Sequence, residues 1–538
     1  MDSPIPIYRR FLCALGCVFF AGVGYCQNSA VPSPALPGQV SSGPTIHVEL
    51  LSSVGQISNP VRPGDKIEPP PSRSNISPNE IAELRATVNR LQERLDQIVP
   101  APAENENTGG CSEAGASLFN SRWPLNAYWQ DGLQIESADS VFRVHVGGTL
   151  QADWGWNRAS QAVESGPAAI GDLQDGADLR RARIRIDGTL YEHIEWVAEY
   201  DFANTVENDS GTSTQAIGTP SFINAWIGVN DIPLVGTVRA GWMKEPISFE
   251  FMKSGRWLNF MERVPGTNSF FTRSAGIMLL NATENERVTW AFGVFHSEDD
   301  NFGFGFGNGE YSEVGRLTWL PWYEDEGQRL LHLGIGAKHS HLDQGQIDFR
   351  GRPSVRTLPG SQEPSLADTG TIDGTTQDTV DVELAAVRGS WTLQSEYYCT
   401  FVHDAVIPNQ PIPPGGPLGT LFYQGTYVEL LYFLTGEYQP YDLKAATFGR
   451  VVPQRNFNIW DGAGGWGAWQ VGIRYGFLDL QDKGVNGATL HDIVVGLNWF
   501  LNPNTKVQWN LAIDHRETTP PGSSGWTYIF GSRLALDF

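Results

Sequence analysis

Three arginines stand two apart at Arg181, Arg183 and Arg185, with Asp187 next in the series, while Ala182, Ile184 and Ile186 take the alternate positions. A period of two belongs to a β-strand, so the guanidinium groups share one side and the apolar groups the other. Three such groups in a row are costly to bury dry. Each offers a permanent charge and a fork of donors suited to carboxylate or phosphate oxygens. The next alternating segment sets Glu195, Glu199 and Asp201 on one side against Ile194, Trp196, Ala198 and Tyr200. The arginine row therefore either pairs with these carboxylates across strands or forms a path for anions, and alternation does not separate the two.

Covalent chemistry finds little to stand on. The chain has no HExxH, no GxSxG elbow, no CxxC pair and no Walker lysine. His339 and His341, two apart, share one side of a strand at a spacing usable for a metal, but a polar strand face accounts for them, and no metal or cofactor site is assigned. Abundant Asp and Glu leave a paired-carboxylate glycosidase formally open without picking out a pair. The net charge of −23 argues against a nucleic-acid partner, which needs a basic patch.

The elements that position the arginines are strands. From Trp123 to Phe538, alternating segments are broken by Gly, Asn, Asp and Pro. Ile493, Val495, Leu497 and Trp499 share a face; Asn502, Pro503 and Asn504 reverse the chain; Val507, Trp509, Leu511 and Ile513 share the next face, opposite Lys506, Gln508, Asn510 and Asp514. In the final segment Trp526, Tyr528, Phe530, Leu534 and Leu536 alternate with Thr527, Arg533, Ala535 and Asp537. Aromatic residues at strand ends fit a transmembrane barrel, with an apolar outer band between aromatic girdles and a wet lumen; a soluble sandwich would put the same polar faces outside. The length accommodates a barrel in the mid-teens of strands. Long loops are expected at Asn204–Pro220, His296–Tyr311, Asp343–Thr379 and Asp404–Gly419.

The segments before the barrel have their own signatures. Arg9 and Arg10 precede an uncharged run from Phe11 to Val23, a secretory signal pattern over residues 1–26, too short to span a bilayer comfortably. Three of the five cysteines fall there, leaving Cys111 and Cys399, so no disulfide scaffold is indicated. Residues 27–76 form a Pro- and Ser-rich linker. A helix over 77–99 follows, with Ser77 and Glu80 as a capping box and Ile81, Leu84, Val88, Leu91, Leu95 and Ile98 as a heptad seam. Self-association of this short coil is favoured over its lying on the barrel, since no apolar partner surface is evident nearby. A second linker, 100–122, leads into the barrel at 123–538.

The residues also carry a family resemblance. RRARIRIDGTL from Arg180, WVAEYDFAN, INAWIGV, VRAGWMKEPISFE, ERVP, TRSAGI, LTGEYQPY, GAWQVGIRYGFLDL and VGLNWFLNPN occur in this order and together resemble the phosphate-selective porin O and P family. The resemblance implies a sixteen-stranded antiparallel outer-membrane barrel, a homotrimer, and passive diffusion of solutes through a pore narrowed by inward loops. It further implies that Arg181, Arg183 and Arg185 belong to an arginine-rich early strand and that Lys244 is the lysine before the first constricting segment. Arg239, Arg263 and Arg273 are placed more loosely, on the wall or in loops. The acidic excess of the barrel region departs from a simple phosphate-selective pattern.

The reading is an exported outer-membrane porin in a Gram-negative-type envelope, surrounded by lipid, without a catalytic mechanism, passing small hydrophilic solutes and in particular anions such as phosphate. A plugged barrel tethering envelope layers through the coiled coil is the alternative, and a secreted carbohydrate-active β protein the third.

Overall fold

The computed structural model describes residues 125–203, 221–296, 310–342, 345–356, 363–407, 418–458 and 464–538. The signal segment, both linkers and the heptad helix lie outside the described residues. Sixteen strands form the barrel: β1 (Phe142–Ala159), β2 (Gly176–Leu190), β3 (Ile194–Asp201), β4 (Ser221–Ile232), β5 (Gly236–Lys244), β6 (Arg273–Ala282), β7 (Val288–His296) and β8 (Tyr311–Glu324) make the first half. The second half is β9 (Arg329–His341), β10 (Thr376–Arg388), β11 (Trp391–Ala405), β12 (Gly419–Phe433), β13 (Ala468–Asp482), β14 (Val485–Asn502), β15 (Thr505–Glu517) and β16 (Gly525–Asp537). Each pairs antiparallel with the next, and β16 returns to β1 with Leu536 opposite Leu150 and Arg533 opposite Asp153. One sheet closed on itself leaves no free edge, which is how strands satisfy their backbone in lipid.

Burial is inverted relative to a soluble protein. On β16 the side chains of Trp526, Tyr528, Phe530, Leu534 and Leu536 are 40–49% exposed, whereas Arg533 is at 0%. The apolar face therefore looks out of the barrel and the charged face in, as it must when the outer solvent is hydrocarbon. Aromatic pairs mark both rims of this band. Trp156 packs on Phe530 at 5.7 Å between ring centroids near one end; Trp391 packs on Tyr432 at 4.6 Å and Trp469 on Trp499 at 5.0 Å near the other.

Turns at the second end are short, at 191–193, 233–235, 325–328, 389–390 and 503–504, and Phe538 lies there. Short turns belong to the periplasmic side and long loops to the outside. A small hairpin, Leu125–Trp129 with Leu133–Ser137, extends the start of β1 at this end, and Trp129 stacks on Phe538 at 6.3 Å. Two connections break the pattern. Residues 483–484 make a two-residue turn at the outer end, while residues 434–467 form a long segment at the periplasmic end.

Among the described residues, three connections run into the lumen. The first inward loop is 245–272, between β5 and β6. The second, within 342–375, carries Phe349 and Ser354 against the inner wall. The periplasmic segment 434–467 is the third. Their packing builds an apolar core inside the barrel: Tyr398, Tyr423, Leu478 and Leu490 from the wall meet Phe270 and Phe271 of the first loop and Phe349 and Leu366 of the second.

Candidate pore constriction

The arginine row enters the lumen as its alternation dictates, with Ile184 and Ile186 outward. A bulge where β2 faces Gln151 and Ala152 of β1 adds one residue, so that Arg180 and Arg181 both turn inward. Carboxylates meet most of the row. Arg183 Nε lies 2.7 Å from Asp201 and its NH1 3.8 Å from Glu199; Arg185 lies 2.7 Å from Asp187 and 3.8 Å from Glu199. Arg239 pairs with Glu195 at 2.6 Å while stacking over Trp226 at 4.3 Å. Cross-strand pairing thus claims Arg183, Arg185 and Arg239. Arg180 is bidentate to Glu262 of the first inward loop at 2.9 and 3.0 Å, and Arg181 approaches the same carboxylate at 3.6 Å while donating to Gln151.

That loop is fastened to one side of the barrel. Its short helix, Phe249–Met252, has Ser248 as N-cap, the hydroxyl accepting from the Phe251 amide. The helix amides of Phe249 and Glu250 donate to Glu396 of β11 at 2.5 and 3.0 Å. Further along, Lys253 donates to Gln394, Asn259 to Glu429, and Asn498 to the Asn259 carbonyl. Met261 N donates to Asn510, and Lys506 donates to the Leu258 carbonyl. Arg533 of β16 holds the Met261 carbonyl and, at 2.9 Å, Glu262. Glu262 is buried, which alone would raise its pKa; Arg180, Arg181 and Arg533 outweigh that and hold it well below the usual carboxylate range. Most of the loop's attachments are therefore on β11–β16, with Lys338 of β9 reaching Glu245 at 2.7 Å, Gln151 of β1 the Gly255 carbonyl, and Arg180 and Arg181 of β2 holding Glu262.

The basic cluster forms at the root of the loop. Lys244 Nζ donates to the carbonyls of Phe251, Met252 and Lys253 at 2.5, 3.0 and 3.1 Å, at the C-terminal end of the short helix, where the dipole favours a cation. Arg263 donates to the carbonyls of Glu250 and Lys253 at 2.9 and 2.7 Å. Lys244, Arg263 and Arg273 surround the Phe251 ring, their charged groups 5.3, 5.8 and 5.8 Å from its centroid. Arg273 Nε is buried with no hydrogen-bond partner. Burial lowers the pKa of Arg263, with Glu250 and Glu262 partly opposing, yet no carboxylate lies within salt-bridge distance of Lys244, Arg263 or Arg273 among the described residues. Three positive charges share one apolar ring and several carbonyls.

Sequence reasoning brought Lys244, Arg263 and Arg273 into consideration without showing that they meet. It missed Arg256, on the first inward loop, which has no ion pair among the described residues and lines a recess with Arg450, Lys506 and Asp537. Its signal was weak, since a lone arginine in a non-repeating loop carries no period. It also missed the periplasmic segment, whose hairpin Tyr441–Asp442 with Thr447–Phe448 reaches inward. There Phe448 packs on Phe249 at 5.0 Å, Tyr441 Oη meets His332 Nδ1 at 2.8 Å, and Arg316 donates to the Ala446 carbonyl at 2.9 Å. His339 and His341 lie on the outer wall instead, with His339 and His403 both hydrogen-bonded to Asp378.

A closed sixteen-strand barrel with an apolar exterior, a charged inner wall and loops folded into the lumen defines an outer-membrane porin, a channel and not an enzyme. The chain belongs to the phosphate-selective porin O and P family, which it matches over residues 146–524. It is 26% identical over 493 residues to an uncharacterized protein of Caulobacter vibrioides, covering 86% of this chain and 89% of that one. It is 24% identical over 405 residues to Porin O of Pseudomonas aeruginosa, covering 70% and 84%. Among solved structures, the outer membrane channel DcaP of Acinetobacter baumannii is a distant likeness, with 10% identity, a TM-score of 0.41, and 75% of this chain and 99% of that one covered.

Proposed function

We propose that this outer-membrane porin is a homotrimer whose constriction favours small anions, oxyanions such as phosphate among them. The observation that carries this is the convergence of Lys244, Arg263 and Arg273 on Phe251 with no carboxylate at salt-bridge distance. An anion entering there meets fixed charge in a low-dielectric setting, where attraction is stronger than in bulk water. Arg256 extends this positive path toward the periplasmic mouth. Arg183, Arg185 and Arg239 line the wall with their charge half-cancelled by partners and tune the approach rather than define the site. Arg181 has a different part: it locks the inward loop through Glu262. The family membership and the relative named Porin O support the same reading, as does the heptad seam at 77–99 for the trimer.

Planar-bilayer recording of the purified protein under a salt gradient tests the selectivity. A reversal potential on the anion side, and chloride current that falls as phosphate is added, are expected. Cation preference in the unaltered protein overturns the anion reading, and a monomer by light scattering in detergent overturns the trimer.

A further inference from the structure

Behind the inward loop, on the wall it is fastened to, three carboxylates crowd together. Glu383 of β10 stands directly opposite Glu396 of β11, and Asp381 shares their inner face two residues along. One carboxylate oxygen from each lies within 4.8 Å of the other two, and all three residues are buried. Like charges placed opposite each other across a strand pair oppose the pairing, so something must offset them.

The protein supplies only part of that. Glu383 accepts from Arg316 at 2.8 and 2.7 Å and meets His332 Nε2 at 3.0 Å. Glu396 accepts from the Phe249 and Glu250 amides and from the Tyr427 hydroxyl. Asp381 is at 0% exposure, and neither of its oxygens has a hydrogen-bond partner. Arg316 is the one cation at salt-bridge distance from these three carboxylates among the described residues; the nearby Lys253 and Lys338 are bound to Glu250 and Glu245. A buried carboxylate with no donor is strongly unfavourable. Two things can offset three oxygens at this separation: a proton shared between carboxylates, or a small cation bound by all three.

We propose that Asp381, Glu383 and Glu396 bind a divalent cation of the calcium type inside the barrel wall. The donor set is hard oxygen throughout, and His332 already spends Nε2 on Glu383, which disfavours zinc or copper. Calcium tolerates irregular geometry and mixed carboxylate modes better than magnesium does, and carboxylates that also accept hydrogen bonds from the protein suit such a site. Because Glu396 holds the helix amides of the inward loop, the cation stiffens the anchor from which the basic cluster hangs. It neutralises the acidic side of the lumen without touching the anion path.

The experiment uses the full-length chain refolded in detergent free of lipopolysaccharide, which would otherwise bring its own calcium. After chelation, equilibrium dialysis against calcium should show one more tightly held equivalent per chain in the wild type than in Asp381→Asn. Calcium should also raise the thermal unfolding temperature of the wild type and leave that of the variant unmoved. Equal calcium uptake by the two folded proteins overturns the proposal and leaves a shared proton holding the triad. Should Asp381→Asn fail to fold, the wild type still decides: no stoichiometric calcium after chelation, and no change in unfolding temperature on adding it, overturns the site as surely.

Discussion

Arg533 on the last strand reaches Glu262 in the first inward loop at 2.9 Å while its guanidinium also binds Asp153 on the first strand at 2.6 Å. The residue that closes the barrel therefore also positions the loop that narrows it. Removing one partner of such a buried pair costs about 3–5 kcal/mol because the other charge is left uncompensated. Arg533→Gln is expected to lower unfolding stability by that order and to raise protease cleavage within residues 245–272. A variant with wild-type stability in denaturant titration would show that the pair does not anchor the loop.

Charge removal at the cluster should act on permeation rather than on folding. Arg273→Gln takes away the guanidinium whose Nε lacks a partner. It is expected to reduce anion over cation permeability several-fold, as a change of about 1 kcal/mol would at a single site, with little loss of stability. Reversal potentials measured side by side check this.

Arg183→Gln is the matched contrast. Its loss leaves Asp201 and Glu199 without their arginine, so the wall gains net negative charge and stability falls. Selectivity should fall less per unit of lost stability than in Arg273→Gln. Equal selectivity changes with equal stability changes would assign the anion path to the wall row instead.

Acid should loosen the loop. Glu262 has a folded-state pKa well below its ordinary value, set by burial against the larger pull of three arginines. A depressed carboxylate contributes stability in full above its unfolded pKa of about 4.3 and loses it as pH falls toward the folded value. Protease susceptibility of residues 245–272 should therefore rise as pH drops below about 4, and Glu262→Gln should be loose already at neutral pH, with less further change.

Shortening the periplasmic hairpin offers a structural test of the third inward segment. The Gly449 amide donates to the Pro440 carbonyl at 2.8 Å, so a short link can replace residues 441–448 without moving the ends. Single-channel conductance should rise, because Tyr441 and Phe448 withdraw from His332 and Phe249. Unchanged conductance would place the hairpin outside the conducting path.

Much of the barrel was legible because strand alternation is written residue by residue. Ile493 to Trp499 outward, Gln508 and Asn510 inward, and Arg533 in the lumen all follow from a period of two. Where the period slips, legibility is lost: the bulge that turns both Arg180 and Arg181 inward has no mark in the pattern RRARIRI. The loops were harder for a different reason. Tyr398 and Leu478 face the lumen yet are apolar, since the inward loops and not water cover them, and nothing local to either strand announces a covering segment more than a hundred residues away. Lys244 came through the family resemblance, Arg256 through neither route.

The lopsided fastening of the first inward loop divides the molecule into a frame and a filter. Changes accumulated on β11–β16, where Gln394, Glu396, Glu429, Asn498 and Asn510 hold the loop in place, register as lost yield of assembled barrel. Changes at Arg273 register chiefly as altered traffic, whereas Arg183, Lys244 and Arg263 also hold carboxylates or loop carbonyls and register in both. Directed evolution for a new permeant can therefore begin at Arg273 while leaving β11–β16 untouched.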